Sequence, residues 1–356
     1  MTEKKFRVAL SADFLKPDGG PAFPDFDLTP LVSDPRIEIG YVAARDGEMA
    51  AAGLDDYDAL ILFAFRMRRS SLPPSRRLGV VARFGVGYDS VDVEGLADEG
   101  VATVITPAGV ARPVAVGILA FTLALTAKIV AKDRLARRGA AGFAERAAHV
   151  GVGLIGKTLG SIGLGNIGAE MVRIMRPLGL DFIANDPNVS EAFARELGVR
   201  LVSLETVFRE SDIVTVNCPL STATRGLVNA ERLALMKPTA YLINTARGPI
   251  VDQKALTEVL EAGRIAGAGL DVFDPEPPSA DDPLLELDNV VLAPHGVAMT
   301  DELFANCGAL DIQAVIDVMH GREPRGIVER RVIEHPEWRR RLDANRARFG
   351  APRRAG

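Results

Sequence analysis

Residues 151–168 read GVGLIGKTLGSIGLGNIG, and three phosphate-binding patterns overlap in them. Gly151, Gly156, Lys157 and Thr158 fit G-x-x-x-x-G-K-[ST], the loop that wraps nucleoside triphosphates. Gly151, Gly153 and Gly156 also fit G-x-G-x-x-G, and so do Gly163, Gly165 and Gly168. In each case backbone N–H groups and a helix N-terminus must face the phosphates, so a strand has to precede the loop and a helix has to follow it. FAERAAHV, before Gly151, does not read as a strand, whereas LGSIGL, after Thr158, does. The first two patterns therefore have their flanks reversed, and Lys157-Thr158 leads into a strand. The third has them in order, with TLGSIGL as strand and AEMVRIM starting the helix. There Gly163 permits a tight turn, Gly165 lets backbone approach a pyrophosphate, and Gly168 allows close helix–strand packing. Asp186 ends the next strand, 18 residues after Gly168. A carboxylate at that point binds the two adenosine-ribose hydroxyls and repels a 2′-phosphate, which favours NAD (NADH) over NADP.

Two more side chains have types and places suited to chemistry. Arg247 follows the strand-like AYLINTA; its planar, permanently charged fork suits clamping a carboxylate and polarising an adjacent carbonyl. Taken alone, a surface salt bridge is the plainer reading. His295 stands at the C-terminal end of VVLAP, the strand end where ligands bind in open α/β sheets. Imidazole, with an ordinary pKa of about 6.5, suits proton exchange at neutral pH. A hydrogen-bonded structural histidine is the plainer reading, and it is kept for His149, His320 and His335.

The elements that must hold these residues alternate between apolar runs of strand length and helical patterns, which predicts an α/β protein with parallel sheets. Early strands are predicted at 6–12, 37–44, 59–65, 79–85 and 101–106, and a second series at 158–164, 180–186, 212–218, 240–246, 265–273 and 290–294. The pattern turns helical between 112 and 135, with Pro113 suited to a first turn. Further helices are predicted from an Asn229 N-cap to about Met236, over QKALTEVLEA up to Gly263, and over 301–319 up to Gly321.

The chain has 356 residues, enough for about two domains of roughly 150 residues. A formal charge of −5 gives no reason to expect nucleic acid or an acidic membrane surface as partner. The two cysteines, Cys218 and Cys307, have no metal-type spacing, so no metal is expected, and so few thiols suit a reducing, cytoplasmic setting. The first residues read as a strand and not as a signal peptide, and no run of about 18 apolar residues is apparent, so no membrane span is expected. Beyond Pro336 the sequence is Arg-rich (Arg339, Arg340, Arg341, Arg346, Arg348, Arg353 and Arg354), which reads as a solvated tail or a subunit contact.

The dinucleotide motif begins in mid-chain, so another domain comes first. With ARFGVGYDSVDVEGLADEGV (82–101), NTARGPIVD (244–252) and the pair GLDVFDPEPP (269–278) and APHGVAMT (293–300), this order resembles the NAD-dependent D-isomer-specific 2-hydroxyacid dehydrogenase family, over roughly residues 55–320. Within that family it looks like the phosphoglycerate dehydrogenases and the glyoxylate–hydroxypyruvate reductases. The resemblance implies two Rossmann-like domains. A flavodoxin-like substrate-binding (catalytic) domain would take residues 1–112 and 298–335, and an inserted NAD-binding Rossmann domain 113–297, leaving 336–356 as the Arg-rich C-terminal tail. It implies hydride transfer between nicotinamide and C2 of a D-2-hydroxy or 2-keto acid, with Arg247 as carboxylate clamp and His295 as acid/base. Glu276, five residues after Asp271 as the family pattern requires, would orient the His295 ring and favour its protonated form. Asp271 matches the residue near the nicotinamide carboxamide. Asn166 and Ile167 would offer N–H groups to the pyrophosphate, while Cys218, Pro219 and Thr224 match the wall beside the adenine half and Thr245 and Ala246 the floor under the nicotinamide. Main-chain N–H groups near Val86 and Gly87 would hold the substrate carboxylate, and Arg83 could reach a second anionic group or form a structural ion pair. A homodimer through the cofactor domain is also implied.

The sequence departs from the family at RPVAVG, where Val116 stands for a frequent glutamate and Gly117 follows, preceded by Arg112 and Pro113. Gly296 after the histidine leaves extra room, and LKPDGGPAFPDFDLTP is a long loop open to a role in specificity. Two alternatives share this fold: an NAD(H)-sensing corepressor or scaffold, and a relative oxidising a non-carbinol donor such as formate or phosphite.

Overall fold

A computed structural model describes residues 5–350. Two compact units divide the chain, one of residues up to 110 together with those from 300 onward, the other of residues 111–299.

The first unit is built on a five-stranded sheet of β1 (Phe6–Ser11), β2 (Ile37–Val42), β5 (Ala59–Leu62), β6 (Val80–Arg83) and β7 (Ala102–Ile105). A two-stranded hairpin, β3 (Ala44–Arg45) and β4 (Glu48–Met49), stands apart from it. The order β2-β1-β5-β6-β7, all parallel, is the flavodoxin-like arrangement. Ala59–Leu62 is buried throughout, the continuous apolar run expected of a strand covered on both faces. Short helices α1 (Thr29–Val32), α2 (Ala51–Leu54) and α3 (Val93–Ala97) punctuate this unit. Six phenylalanines (Phe14, Phe23, Phe26, Phe63, Phe84 and Phe304) interlock in it, with Phe23 stacked on Phe304 at 3.8 Å between centroids. Two of them belong to the long Pro/Gly-rich loop, which is thereby tied down by aromatic packing.

The second unit carries a seven-stranded parallel sheet of β8 (Thr158–Ile162), β9 (Asp181–Asn185), β10 (Val199–Leu201), β11 (Ile213–Val216), β12 (Tyr241–Asn244), β13 (Gly267–Leu270) and β14 (Val290–Leu292). Its order, β10-β9-β8-β11-β12-β13-β14, is that of a dinucleotide-binding Rossmann fold with one strand added. Helices α4 (Pro107–Thr126), which begins in the first unit, α5 (Ile129–Arg137) and α6 (Ala140–Glu145) lead into this sheet, and α7 (Asn166–Met175), α8 (Glu191–Glu196), α9 (Leu204–Glu210), α10 (Ala230–Leu233) and α11 (Gln253–Glu261) connect its strands. In α7 the buried Gly168, Met171, Val172 and Met175 recur at helical spacing and face the core. The Asn229 cap accepts from Arg232 N, and Gly263 adopts φ +60° just past α11.

Four expectations need correcting. First, α4 starts at Pro107, so Pro113 lies inside the helix; Pro107 takes the initial position instead. The N–H that Pro113 lacks leaves the carbonyl of Gly109 without its helix bond. Second, α4 is long and apolar enough, at mean hydropathy 1.8, to cross a bilayer, contrary to the reading of the sequence. Half of it is buried inside the protein, as in the core helix of a soluble domain. Third, residues 336–349 do not form a solvated tail. They fold as α13 (Pro336–Phe349), which packs on α12 (Asp301–Met319) in the first unit. Trp338, Arg341 and Phe349 are its buried residues, and Phe349 meets Phe6 edge-on at 5.8 Å. Arg339, Arg340, Arg346 and Arg348 stay exposed; Arg353 and Arg354 lie outside the described residues. Fourth, β10, a three-residue strand, was too short to show a period in the sequence.

Candidate active site and cofactor loop

The glycine loop sits between β8 and α7. Gly163 takes φ +97°, and a Cβ there would come within 2.8 Å of the Asn217 backbone. At Gly168 a Cβ would lie 2.7 Å from the Gly163 carbonyl oxygen. Gly165, the N-cap of α7, has nothing within 4 Å of that position. Two glycines are thus demanded by packing, and the third borders open space at a ten-residue helix N-terminus, a cradle that suits a pyrophosphate. Asn166 and Ile167 open that helix, so their N–H groups are among those without intrahelical partners. Asp186, at the end of β9, accepts from Leu164 N at 2.7 Å and Asn188 N at 2.8 Å. It therefore ties the glycine loop to the neighbouring strand end. Cys218 and Thr224 are half-buried and Pro219 is exposed; Thr224 Oγ1 donates to Pro219 O at 2.7 Å, closing their turn. Burial pushes the Cys218 thiol up to about 11, so it stays a neutral thiol.

The ends of β12, β13 and β14 bring four further residues of this unit together. Asn244, the last residue of β12, is 1% exposed. Its Nδ2 donates to Arg247 O at 2.9 Å and its Oδ1 accepts from Ala246 N at 3.1 Å, which sets the turn holding Thr245, Ala246 and Arg247. Sequence reasoning missed Asn244; a lone amide closing an apolar strand was the available signal. Gly248 follows, where a Cβ would fall 1.8 Å from Phe273 O. Only glycine lets the 244–252 turn come this close to the loop after β13.

That loop carries Glu276. Its Oε1 lies 2.6 Å from His295 Nδ1, and its Oε2 accepts from Phe273 N at 3.1 Å. Burial pushes the Glu276 pKa upward. The His295 hydrogen bond and charge, the Phe273 N–H and the Arg247 charge outweigh it, so the carboxyl ends below its ordinary value and stays ionised.

Asp271 is buried, and burial raises its pKa despite bonds from Val297 N and Gly296 N. Its Oδ1 accepts from Gly296 N at 2.8 Å and Val297 N at 2.9 Å, while its carbonyl accepts from His295 N at 2.8 Å. Those three bonds clasp a backbone that needs holding, because His295 sits at φ +50°, where residues with a Cβ are disfavoured.

The departures from the family pattern have local explanations. At Gly117 a Cβ would lie 2.8 Å from Val297 Cγ1, so this glycine lets α4 pack beside the segment after His295. Val116 is 43% exposed, and Arg112 pairs with Glu170 of α7 at 2.9 Å. A Cβ on Gly296 would meet only ordinary contacts at 3.6 Å and beyond, so its small size is not forced by packing. Arg83, the last residue of β6, and Val86 and Gly87, in the turn after it, belong to the first unit; Arg83 Nη1 donates to Phe84 O, and Gly85 takes φ +113°. His335 Nδ1 accepts from Glu337 N and caps α13, a structural part. Among the described residues no cluster of potential metal ligands occurs.

Comparison with known proteins agrees with this geometry. The chain is 36% identical to a D-3-phosphoglycerate dehydrogenase of Archaeoglobus fulgidus over 85% of its own length, but spans only 57% of that relative. It is 37% identical to a glyoxylate reductase of Korarchaeum cryptofilum, covering 78% of this chain and 85% of the relative. Among solved structures, the TT0316 protein from Thermus thermophilus superposes with a TM-score of 0.79 at 29% identity, over 91% of this chain and all of that one. Residues 119–296 match the NAD binding domain of a single family, and NAD(H) is the cofactor that this match and the glycine loop share. The chain belongs to the D-isomer specific 2-hydroxyacid dehydrogenase family.

Proposed function

We propose that this chain is an NAD-dependent D-2-hydroxyacid dehydrogenase or 2-ketoacid reductase. The carrying observation is the His295–Glu276 pair at 2.6 Å, in a loop system that Gly248 draws against the Arg247 turn. NAD(H), when bound, accepts or supplies the hydride. With Nδ1 engaged by Glu276, the His295 Nε2 is the atom that exchanges a proton with the substrate oxygen. An ionised Glu276 stabilises the imidazolium form, which donates the proton in the reductive direction. Arg247 holds the substrate carboxylate. In the first unit, the main-chain N–H groups near Val86 and Gly87, and Arg83, are donors suited to anionic groups. Asn166 and Ile167 bind the pyrophosphate and Asp186 the adenosine ribose. Cys218, Pro219 and Thr224 flank the adenine half; Thr245, Ala246 and Asp271 lie on the nicotinamide side.

The test is NADH oxidation with glyoxylate, hydroxypyruvate, pyruvate, phenylpyruvate and phosphohydroxypyruvate. Turnover of at least one is expected. Turnover of none, with NADH still bound, sinks the reading in favour of an NAD(H)-sensing scaffold. His295→Ala is expected to lower kcat by about 100- to 10,000-fold, the usual worth of a general acid–base, with NADH affinity nearly intact. A collapse of NADH affinity instead would remove the role given to His295.

The reading includes a homodimer. Among the described residues, eight of the fourteen exposed large apolar side chains fall between 116 and 155 in the second unit, among them Ile155 at 87%, Val150 at 70% and Phe143 at 60%. Apolar exposure concentrated in one region marks an interaction surface. Sedimentation should give a dimer, and Phe143→Asp with Ile155→Asp should give a monomer. Two free thiols, Cys218 and Cys307, fit a cytoplasmic setting.

A further inference from the structure

A cavity of about 230 Å³ opens at the amino edge of the first unit's sheet. It lies between the segment entering β6, the turn entering β7, and Arg341 of α13. The 83–87 turn stands at the other, carboxyl edge of the same sheet, the edge at which parallel α/β sheets bind their substrates. The cavity therefore takes no part in the chemistry above.

Its polar lining is lopsided. Arg69, Arg76 and Arg341 line it together with a single carboxylate, Glu99. Arg69 Nη2 donates to Glu99, and Arg76 Nη2 stands 3.7 Å from the other Glu99 oxygen. Arg341 is only 8% exposed and no carboxylate bonds it among the described residues. Its Nε donates to Arg76 O at 3.0 Å and its Nη1 to Gly100 O, which fixes the guanidinium in place. Burial pushes its pKa down to about 10; Glu337 opposes this, while Arg340 and Arg76 add repulsion. Arg76 also holds a left-handed backbone, φ +54°, unfavourable for a residue with a Cβ. Three cations against one anion leave two positive charges around a walled space. One of the three is buried in place and another rides on a strained backbone. A ligand carrying two negative charges would match that excess positive charge.

We propose that this cavity binds a small dianion, a phosphate group or a dicarboxylate, with Arg341 as the fixed floor and Arg69 and Arg76 closing from the rim. Phosphate and dicarboxylate share the charge but differ in shape: one gathers its oxygens on a single tetrahedral centre, the other spreads two planar groups along a chain.

The experiment is calorimetric titration of the full chain saturated with NADH, which occupies the glycine loop. Inorganic phosphate and malonate are the two probes, with ionic strength held constant by sodium chloride. Saturable binding with Kd below about 1 mM is expected for at least one probe. The two are compared at about pH 8, where both probes carry two negative charges: tighter binding of phosphate assigns a phosphate group, and tighter binding of malonate a dicarboxylate. The double variant Arg69→Ser, Arg76→Ser should weaken binding at least tenfold and leave NADH affinity and 2-keto acid turnover unchanged. Both side chains are more than half exposed, so the fold tolerates their loss. Glu99→Gln should tighten binding severalfold. The proposal is overturned by the absence of saturable heat with either probe, by equal affinity in the double variant, or by weaker binding in Glu99→Gln.

Discussion

Residues 151–158 and 163–168 carry the same glycine pattern and behave as opposites. In the first stretch Gly151 is crowded by Thr126 O at 2.6 Å and Gly156 holds φ +72°, but a Cβ on Gly153 would meet nothing within 4 Å, and the chain enters β8 directly at Thr158 with no helix after the loop. Helical turns, Ala140–Glu145 and Arg146–His149, precede it where a strand would be required. Lys157 is engaged by Asp212 at 3.7 Å, and Asp212 in turn accepts from Thr158 N at 2.9 Å. In the second stretch two of the three glycines have no room for a side chain, and the helix begins at once. A glycine motif therefore acquires meaning from what lies before and behind it, and packing tells a required glycine from a permitted one.

Substitutions can break this contrast. The largest effect belongs to Gly168→Val, because its Cβ would press on the Gly163 carbonyl at 2.7 Å. Overpacking of this kind costs about 1–3 kcal/mol, and the displaced loop should lose NADH by more than about tenfold in a fluorescence titration. Near-normal affinity would mean that the loop does not hold the cofactor. Next comes Asp186→Ser. Losing the carboxylate should lower the NADH-to-NADPH preference by about tenfold, the scale of one charge-assisted contact of 1–2 kcal/mol. Because Asp186 also accepts from Leu164 N, NADH affinity itself should fall as well. An unchanged cofactor ratio would leave the preference for NAD unexplained. Lys157→Met should be smaller, below about 1 kcal/mol by thermal unfolding, since the ion pair it removes is half-exposed. Gly153→Ala should change neither stability nor NADH affinity measurably. A loss of NADH binding in either of the last two would reopen the first stretch as a working loop.

The strands that bind the cofactor and the helices after them were legible because their apolar runs are long and bounded by turn residues. Pro113 misled, since a proline is as compatible with a first turn as with a helix interior whose preceding residues tolerate it, and Pro107 lay six residues upstream. The C-terminal stretch misled for another reason. Its charge density hid Trp338 and Phe349, the two apolar anchors that decide its fate. At the site, Arg247, Glu276 and His295 came from motifs, but the parts that hold them did not. The Asn244 amide, the Gly248 contact with Phe273 and the Asp271 clasp are relations between segments far apart in the chain, and no local pattern encodes them.

The left-handed backbone at His295 bears on how its chemistry should be dissected. Alanine at that position removes the imidazole and also inherits a conformation it does not favour, so a lost rate mixes two causes. Asparagine adopts the same conformation several-fold more readily than most residues. His295→Asn is therefore the cleaner test of the proposed proton carrier: it should delete the imidazole while Asp271 goes on grasping the same loop. The difference between the two variants measures how much of catalysis resides in the ring and how much in the posture of the chain that presents it.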